Sequence, residues 1–203
     1  MLLLLKKYKI EISLFLFSLA YFLLFSRYGI DIDDEGFHLH VSNMILKGLI
    51  PYRDFVIHAS PGSFYLQAFI FKIFSPTLFV GRMSIVALGL YMTIVLYRIS
   101  RYIIPSPNFA AISSILFIFW GVSQIRHPWY GWYGLALALS FAYLALKYIK
   151  TDKGIYLFLT GLFCGLTFFT KQNLGAACFV SCSFFLVIDT VFSKENIKEK
   201  ISD

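Results

Sequence analysis

Apolar runs of membrane-spanning length, broken at short intervals by lysine and arginine, constrain this chain more than any other feature. Five such runs lie at about Thr77–Tyr97, Phe109–Ser123, Trp132–Tyr148, Ile155–Phe169 and Leu174–Phe192. A sixth, shorter one spans Ile10 to Ser26 behind Lys6, Lys7 and Lys9. A helix needs about 20 apolar residues to cross a bilayer, so these runs predict transmembrane helices. Charged residues make up 14% of the 203, against about 25% in a soluble domain. That deficit, with 23 Phe and 13 Tyr, excludes a disordered chain or an ordinary cytosolic globule. The expected fold is all-α: a polytopic membrane protein of about six transmembrane helices.

The net charge of +7 therefore argues for membrane orientation and against a nucleic-acid partner. With the N-terminus inside, eleven cations fall on the cytoplasmic side and seven on the other. This excess predicts N-in, C-in topology in the plasma membrane. A cleaved signal peptide ending near Ser18-Leu19-Ala20 is the rival reading of the first run. The same sorting puts all four histidines and five of the eleven acids on the outer side. Cys164, Cys178 and Cys182 lie in apolar runs and match no metal-site spacing.

Residues 27–75 form the longest stretch between runs. Asp33-Asp34-Glu35 precede Phe37, Val41, Met44 and Ile45, an apolar stripe at helical spacing. Asp33 or Asp34 would cap that helix and Gly48 would end it. Ser60-Pro61-Gly62 introduces a second helix, Ser63 to about Phe74. Both read as amphipathic helices on the outer membrane surface. Residues 1–192 thus form a membrane domain, and 193–203 a charged cytoplasmic tail.

The run Asp34-Glu35-Gly36-Phe37, then Gly48 to Phe55 (GLIPYRDF), then Pro61 to Leu66 (PGSFYL) resembles a known loop. It is similar to the first outer loop of bacterial membrane glycosyltransferases of the GT-C fold, the polyprenyl-phosphate-sugar-dependent enzymes related to protein mannosyltransferases and aminoarabinose transferases. Arg82 and the segment Gly165 to Asn173 fit the same pattern. The resemblance implies a sugar moving from a polyprenyl-phosphate donor to an acceptor at the extracytoplasmic face. It makes Asp34 the general base, with Glu35 orienting the acceptor or holding a cation. Arg53, His58, Arg82 and Lys171 are then the candidates for the phosphate. No metal or other cofactor is implied; the partners are the lipid-linked donor and membrane lipids. Enzymes of this family are longer, so the resemblance also implies a missing C-terminal part, or a second polypeptide supplying further spans.

Plainer readings stand beside these. Asp34 as a mere helix cap would be a weakened base. Arg82 and Lys171 could snorkel to lipid headgroups, as Glu11 would at the inner edge. His38 and His40, two apart on a helix, do not meet at one ligand. Asp54 is either an ion-pair partner of Arg53 or a second carboxylate for the acceptor. Arg126 to Tyr133 reads as an interfacial aromatic belt or a sugar subsite, and Gly161-x-x-x-Gly165 as a helix-packing face. Asp189 is placed at the inner water boundary within reach of Lys194. Non-enzymatic binding of lipid-phosphate sugars is a competing function. A transporter is a third, without the expected inverted repeat.

Overall fold

The apolar segments fold as helices in the computed structural model, which describes residues 8–202 apart from Ile30, Ile32 and 122–126, with side chains as far as Ile188. Eight α-helices follow in order among the described residues: α1 (Lys9–Phe25), α2 (Asp34–Leu46), α3 (Gly62–Ile73), α4 (Leu78–Ile103), α5 (Pro107–Leu116), α6 (Tyr130–Thr151), α7 (Gly154–Thr170) and α8 (Gln172–Ser202). A π-helical turn, Phe117–Gly121, continues α5. There is no strand among the described residues; one isolated bridge joins Pro51 to Phe55. α4 and α6 are long and apolar enough to cross a membrane, whereas the apolar parts of α5, α7 and α8 are shorter. Arg126 lies outside the described residues, and so do the side chains of Asp189 and Lys194.

The core forms where α1, α4, α5 and α6 meet, around Leu14, Phe22, Ile85, Met92, Ile118 and Tyr133. Close approach there depends on small residues. A Cβ on Gly89 would meet the Phe22 ring at 2.8 Å, so the glycine lets α1 lie directly on α4. Hydroxyls join the helices: Ser114 donates to the Thr93 carbonyl at 2.9 Å, and Tyr91 and Ser140 share a 2.6 Å bond. Such bonds and small residues hold helices together where apolar burial alone cannot discriminate between neighbours. α7 packs along α6, and α8 returns along α7.

α2 and α3 build a second cluster with Val41, Ile57, Ala59 and Phe64. α2 ends as expected at Gly48, whose φ of 91° suits a residue without a side chain. Gly48 N–H bonds to the Ile45 carbonyl and Leu49 N–H to that of Met44, a Schellman closure. α3 departs from the amphipathic surface helix that its sequence suggested. Ser63, Phe64 and Gln67 are fully buried against neighbouring helices, and the opposite face carries exposed Tyr65, Leu66, Phe69 and Ile73. A helix apolar on its outer face and buried on its inner one is not built to lie between water and lipid. The Gly161/Gly165 stripe packs against nothing among the described residues. Nothing lies within 4 Å of a Cβ at either position, and both line a groove of about 600 Å³ between α7 and α8.

Candidate functional site

Glu35 and Arg82 form the anchor of the site. Arg82 Nε donates to Glu35 Oε1 and Nη2 to Oε2, both at 2.7 Å. Its remaining reach goes to backbone: Nη1 donates to the Ser26 carbonyl at 3.2 Å and Nη2 to that of Gly29 at 2.6 Å. The guanidinium therefore clamps the end of α1, the following loop, α2 and α4 at one point. Both side chains are buried, Glu35 at 1% exposure and Arg82 at 8%. The planar fork suits this two-oxygen grip in a way that an ammonium would not. Arg82 thus meets a carboxylate and two carbonyls here.

Asp34 stands beside this clamp but outside it. It is the first residue of α2 and is exposed. Neither Asp33 nor Asp34 caps the helix. Asp33, at the N-cap position, makes no capping bond, and Asp31 Oδ1 instead accepts the Asp34 N–H at 3.0 Å. The Asp34 carboxylate, relieved of capping, has no hydrogen-bond partner among the described residues. His127 arrives from the loop before α6, with Nε2 3.9 Å from Asp31 Oδ2. Ligand atoms of Asp31, Asp34 and His127 lie within 4.8 Å of one another, the one such trio among the described residues. Tetrahedral zinc needs separations of about 3.3 Å, so the trio would have to close to hold that ion.

An aromatic wall connects the other expected residues. His58, exposed, stacks on Phe37 of α2 at 4.9 Å and meets the edge of Tyr130 at 6.2 Å. Lys171, between α7 and α8, places Nζ 4.6 Å from the Trp129 ring centroid and 5.7 Å from that of Tyr130. Tyr130 therefore bridges His58 and Lys171. Arg53 is occupied elsewhere: its Nε and Nη2 grip both Asp54 oxygens at 2.9 and 2.8 Å. Asp54 Oδ2 also accepts the Ile50 N–H at 2.7 Å, closing the turn. The Arg53 and Ile50 bonds hold the Asp54 carboxyl down at about 2. The structure thus makes Asp54 an ion-pair partner and turn-closing acceptor.

Behind this surface lies a buried polar layer that no sequence pattern announces. His38, one turn along α2 from Asp34, stacks on Tyr133 at 5.4 Å and against Phe64 at 4.7 Å. Burial, with a smaller contribution from the charge of His127, pushes its pKa down to about 3. It is neutral at ordinary pH. Gln67 Oε1 accepts from Tyr133 Oη at 2.6 Å and from Ser84 Oγ at 2.8 Å. Both His38 nitrogens, Ser63 Oγ and Gln67 Nε2 have no hydrogen-bond partner among the described residues. His40 is exposed while His38 is buried, in keeping with their two-residue separation on a helix.

Glu35 and Arg82 thus meet directly beside Asp34, His58 reaches α2 through Phe37, and His58 and Lys171 share Tyr130 as a neighbour. The structure adds Asp31 and His127, whose 96-residue separation gave no spacing signal. No family model, curated protein or solved structure matches this chain.

Proposed function

We propose that this chain is a membrane glycosyltransferase of the GT-C kind, or its N-terminal catalytic portion, acting on a polyprenyl-phosphate-linked sugar at the extracytoplasmic face. In this reading α1 and α4 to α8 cross the membrane with both ends inside. The eleven-to-seven cation count and the exposed apolar side chains of Phe79, Phe109, Phe158, Phe179 and Phe184 support that placement. The observation that carries the functional reading is the contrast between two adjacent acids. Glu35 is buried on Arg82, while Asp34 presents an exposed carboxylate unoccupied by capping. A carboxylate so held can take the proton of an acceptor hydroxyl as that oxygen bonds to the anomeric carbon and the sugar–phosphate bond breaks. Lys171 supplies positive charge and His58 a ring N–H donor for the leaving polyprenyl phosphate, and Trp129 and Tyr130 offer faces for a sugar. Arg82 acts through Glu35 by fixing α2, and so Asp34, in place.

The test is transfer from a polyprenyl-phosphate sugar by the purified chain in lipid nanodiscs. Asp34→Asn should cost about 10²- to 10⁴-fold in turnover, the usual share of a general base. Full activity in that variant would remove Asp34 from the role. The closed Glu35–Arg82 pair favours one second reading, a protein that binds lipid-phosphate sugars without transferring them. Donor binding unchanged in Asp34→Asn, with no transfer by the wild type, would select it.

A further inference from the structure

At the other end of α4, sixteen residues and roughly 24 Å of helix rise from Arg82, a second cleft is unconnected to the Asp34 site. It measures about 790 Å³ and is lined by the start of α1 (Tyr8, Lys9, Glu11), the end of α4 (Tyr97, Arg98, Arg101, Tyr102), Asn108 and Tyr143. Three cations face one acid. Glu11 takes Arg98, through Nε at 3.1 Å. Arg101 Nη1 bonds to the carbonyls of Ile104 and Pro105, neutral groups that leave its charge uncompensated. Lys9 has no carboxylate partner among the described residues. The cleft therefore carries an excess of two positive charges, with tyrosine hydroxyls and an amide as further donors. Residues adjoining the lining in sequence, Ile12, Ile103 and Phe109, are exposed and apolar. A cationic cleft flanked by exposed apolar side chains matches the junction of a phosphate layer with hydrocarbon.

We propose that this cleft binds a phosphate group, with Arg101 and Lys9 as its principal ligands and Arg98 held in reserve by Glu11. The flanking apolar residues favour an anionic phospholipid headgroup as the source. Guanidinium donors match phosphate oxygens in pairs, and the tyrosines add neutral donors around them. Glu11 competes with the ligand for Arg98, so removing its charge strengthens binding.

The experiment is native mass spectrometry of the full chain in neutral detergent, with phosphatidylglycerol competing against phosphatidylcholine. Phosphatidylglycerol adducts should dominate. Arg101→Gln should weaken them about fivefold and Glu11→Gln strengthen them about fivefold, the effect of one basic charge near a phosphate layer. Lys9→Gln, on the first turn of α1, repeats the Arg101 test without touching the Ile104 and Pro105 carbonyls. Persistence of the adduct in millimolar inorganic phosphate identifies the lipid headgroup as the source, and displacement identifies the free ion; either upholds the site. Equal binding of the two lipids, or movement in the same direction by Arg101→Gln and Glu11→Gln, overturns it.

Discussion

Arg82 grips both carboxylate oxygens of Glu35 at 2.7 Å across 47 residues of sequence, and neither side chain reaches water freely. Burying two charges costs several kcal/mol each, and their attraction offsets this only because four bonds satisfy the guanidinium. Removing one partner strands the other. Glu35→Ala or Arg82→Ala should each destabilise the fold by about 3–5 kcal/mol, measured by unfolding in detergent. The Glu35→Met/Arg82→Met double variant should be more stable than either single change, because it leaves no buried charge. A double variant as unstable as the singles added together would show that the pair is not coupled.

His38 makes stability depend on acid. Its folded pKa of about 3 lies below its ordinary 6.5, so the unfolded chain binds the extra proton between these values. Stability is then full above about pH 6.5 and falls as pH drops toward 3. The slope is at most about 1.4 kcal/mol per pH unit. Asp54, held at about 2 from 3.8, acts in the same direction but only below its ordinary value. The interval between about pH 4.5 and 6.5 therefore separates the histidine from Asp54. In that interval the melting temperature of His38→Phe, which keeps a ring between Phe64 and Tyr133, should be flatter than that of the wild type. Parallel slopes would assign the dependence to another group.

Asp31 and Asp34 divide two jobs that the sequence assigned to neighbouring acids. Asp31 accepts the first N–H of α2 while Asp34 caps nothing. Asp31→Ala should cost about 1 kcal/mol, the usual loss of a cap. Asp34→Asn, at an exposed position, should stay within about 0.5 kcal/mol. Paired urea titrations of the two variants decide this. A larger loss in Asp34→Asn would return Asp34 to a structural role and undercut its use as a base.

The helices were legible because hydropathy and terminal signals act locally. Gly48 closes α2 by a rule three residues long, and Thr77 caps α4 through the Val80 N–H. The neighbourhood of Asp34 was legible only in part. Glu35 and Arg82 each stand out in the sequence, yet their pairing depends on how α1, α2 and α4 meet, which no local pattern encodes. Asp31, one acid among five on the outer side, becomes the cap through its Oδ1 on the Asp34 N–H. His127 and the His38–Tyr133–Gln67 layer join residues from separate helices and loops, and single residues of these kinds carry no spacing to recognise. Lys171 presented a free cation in the sequence; the structure gives it Trp129 and Tyr130 as partners.

Lys171 owes that position to a glycine. A Cβ on Gly175 would lie 2.2 Å from Phe168 Cα and 2.4 Å from its nitrogen, a collision with backbone that no rotamer relieves. The turn from α7 into α8 must therefore open in Gly175→Ala, carrying Lys171 away from the two rings. The expected cost is about 1–3 kcal/mol of overpacking, with up to about 1 kcal/mol more from the lost cation–π contact. Gly161→Ala, on the open stripe of α7, meets nothing within 4 Å and should stabilise by up to about 1 kcal/mol through helix propensity. The two substitutions are chemically identical and fourteen residues apart, so opposite signs in thermal unfolding would come from packing alone. Tryptophan fluorescence checks the mechanism: Gly175→Ala should shift the Trp129 emission and Gly161→Ala should leave it unchanged. An unshifted spectrum in Gly175→Ala would mean that the turn absorbs the strain without moving Lys171.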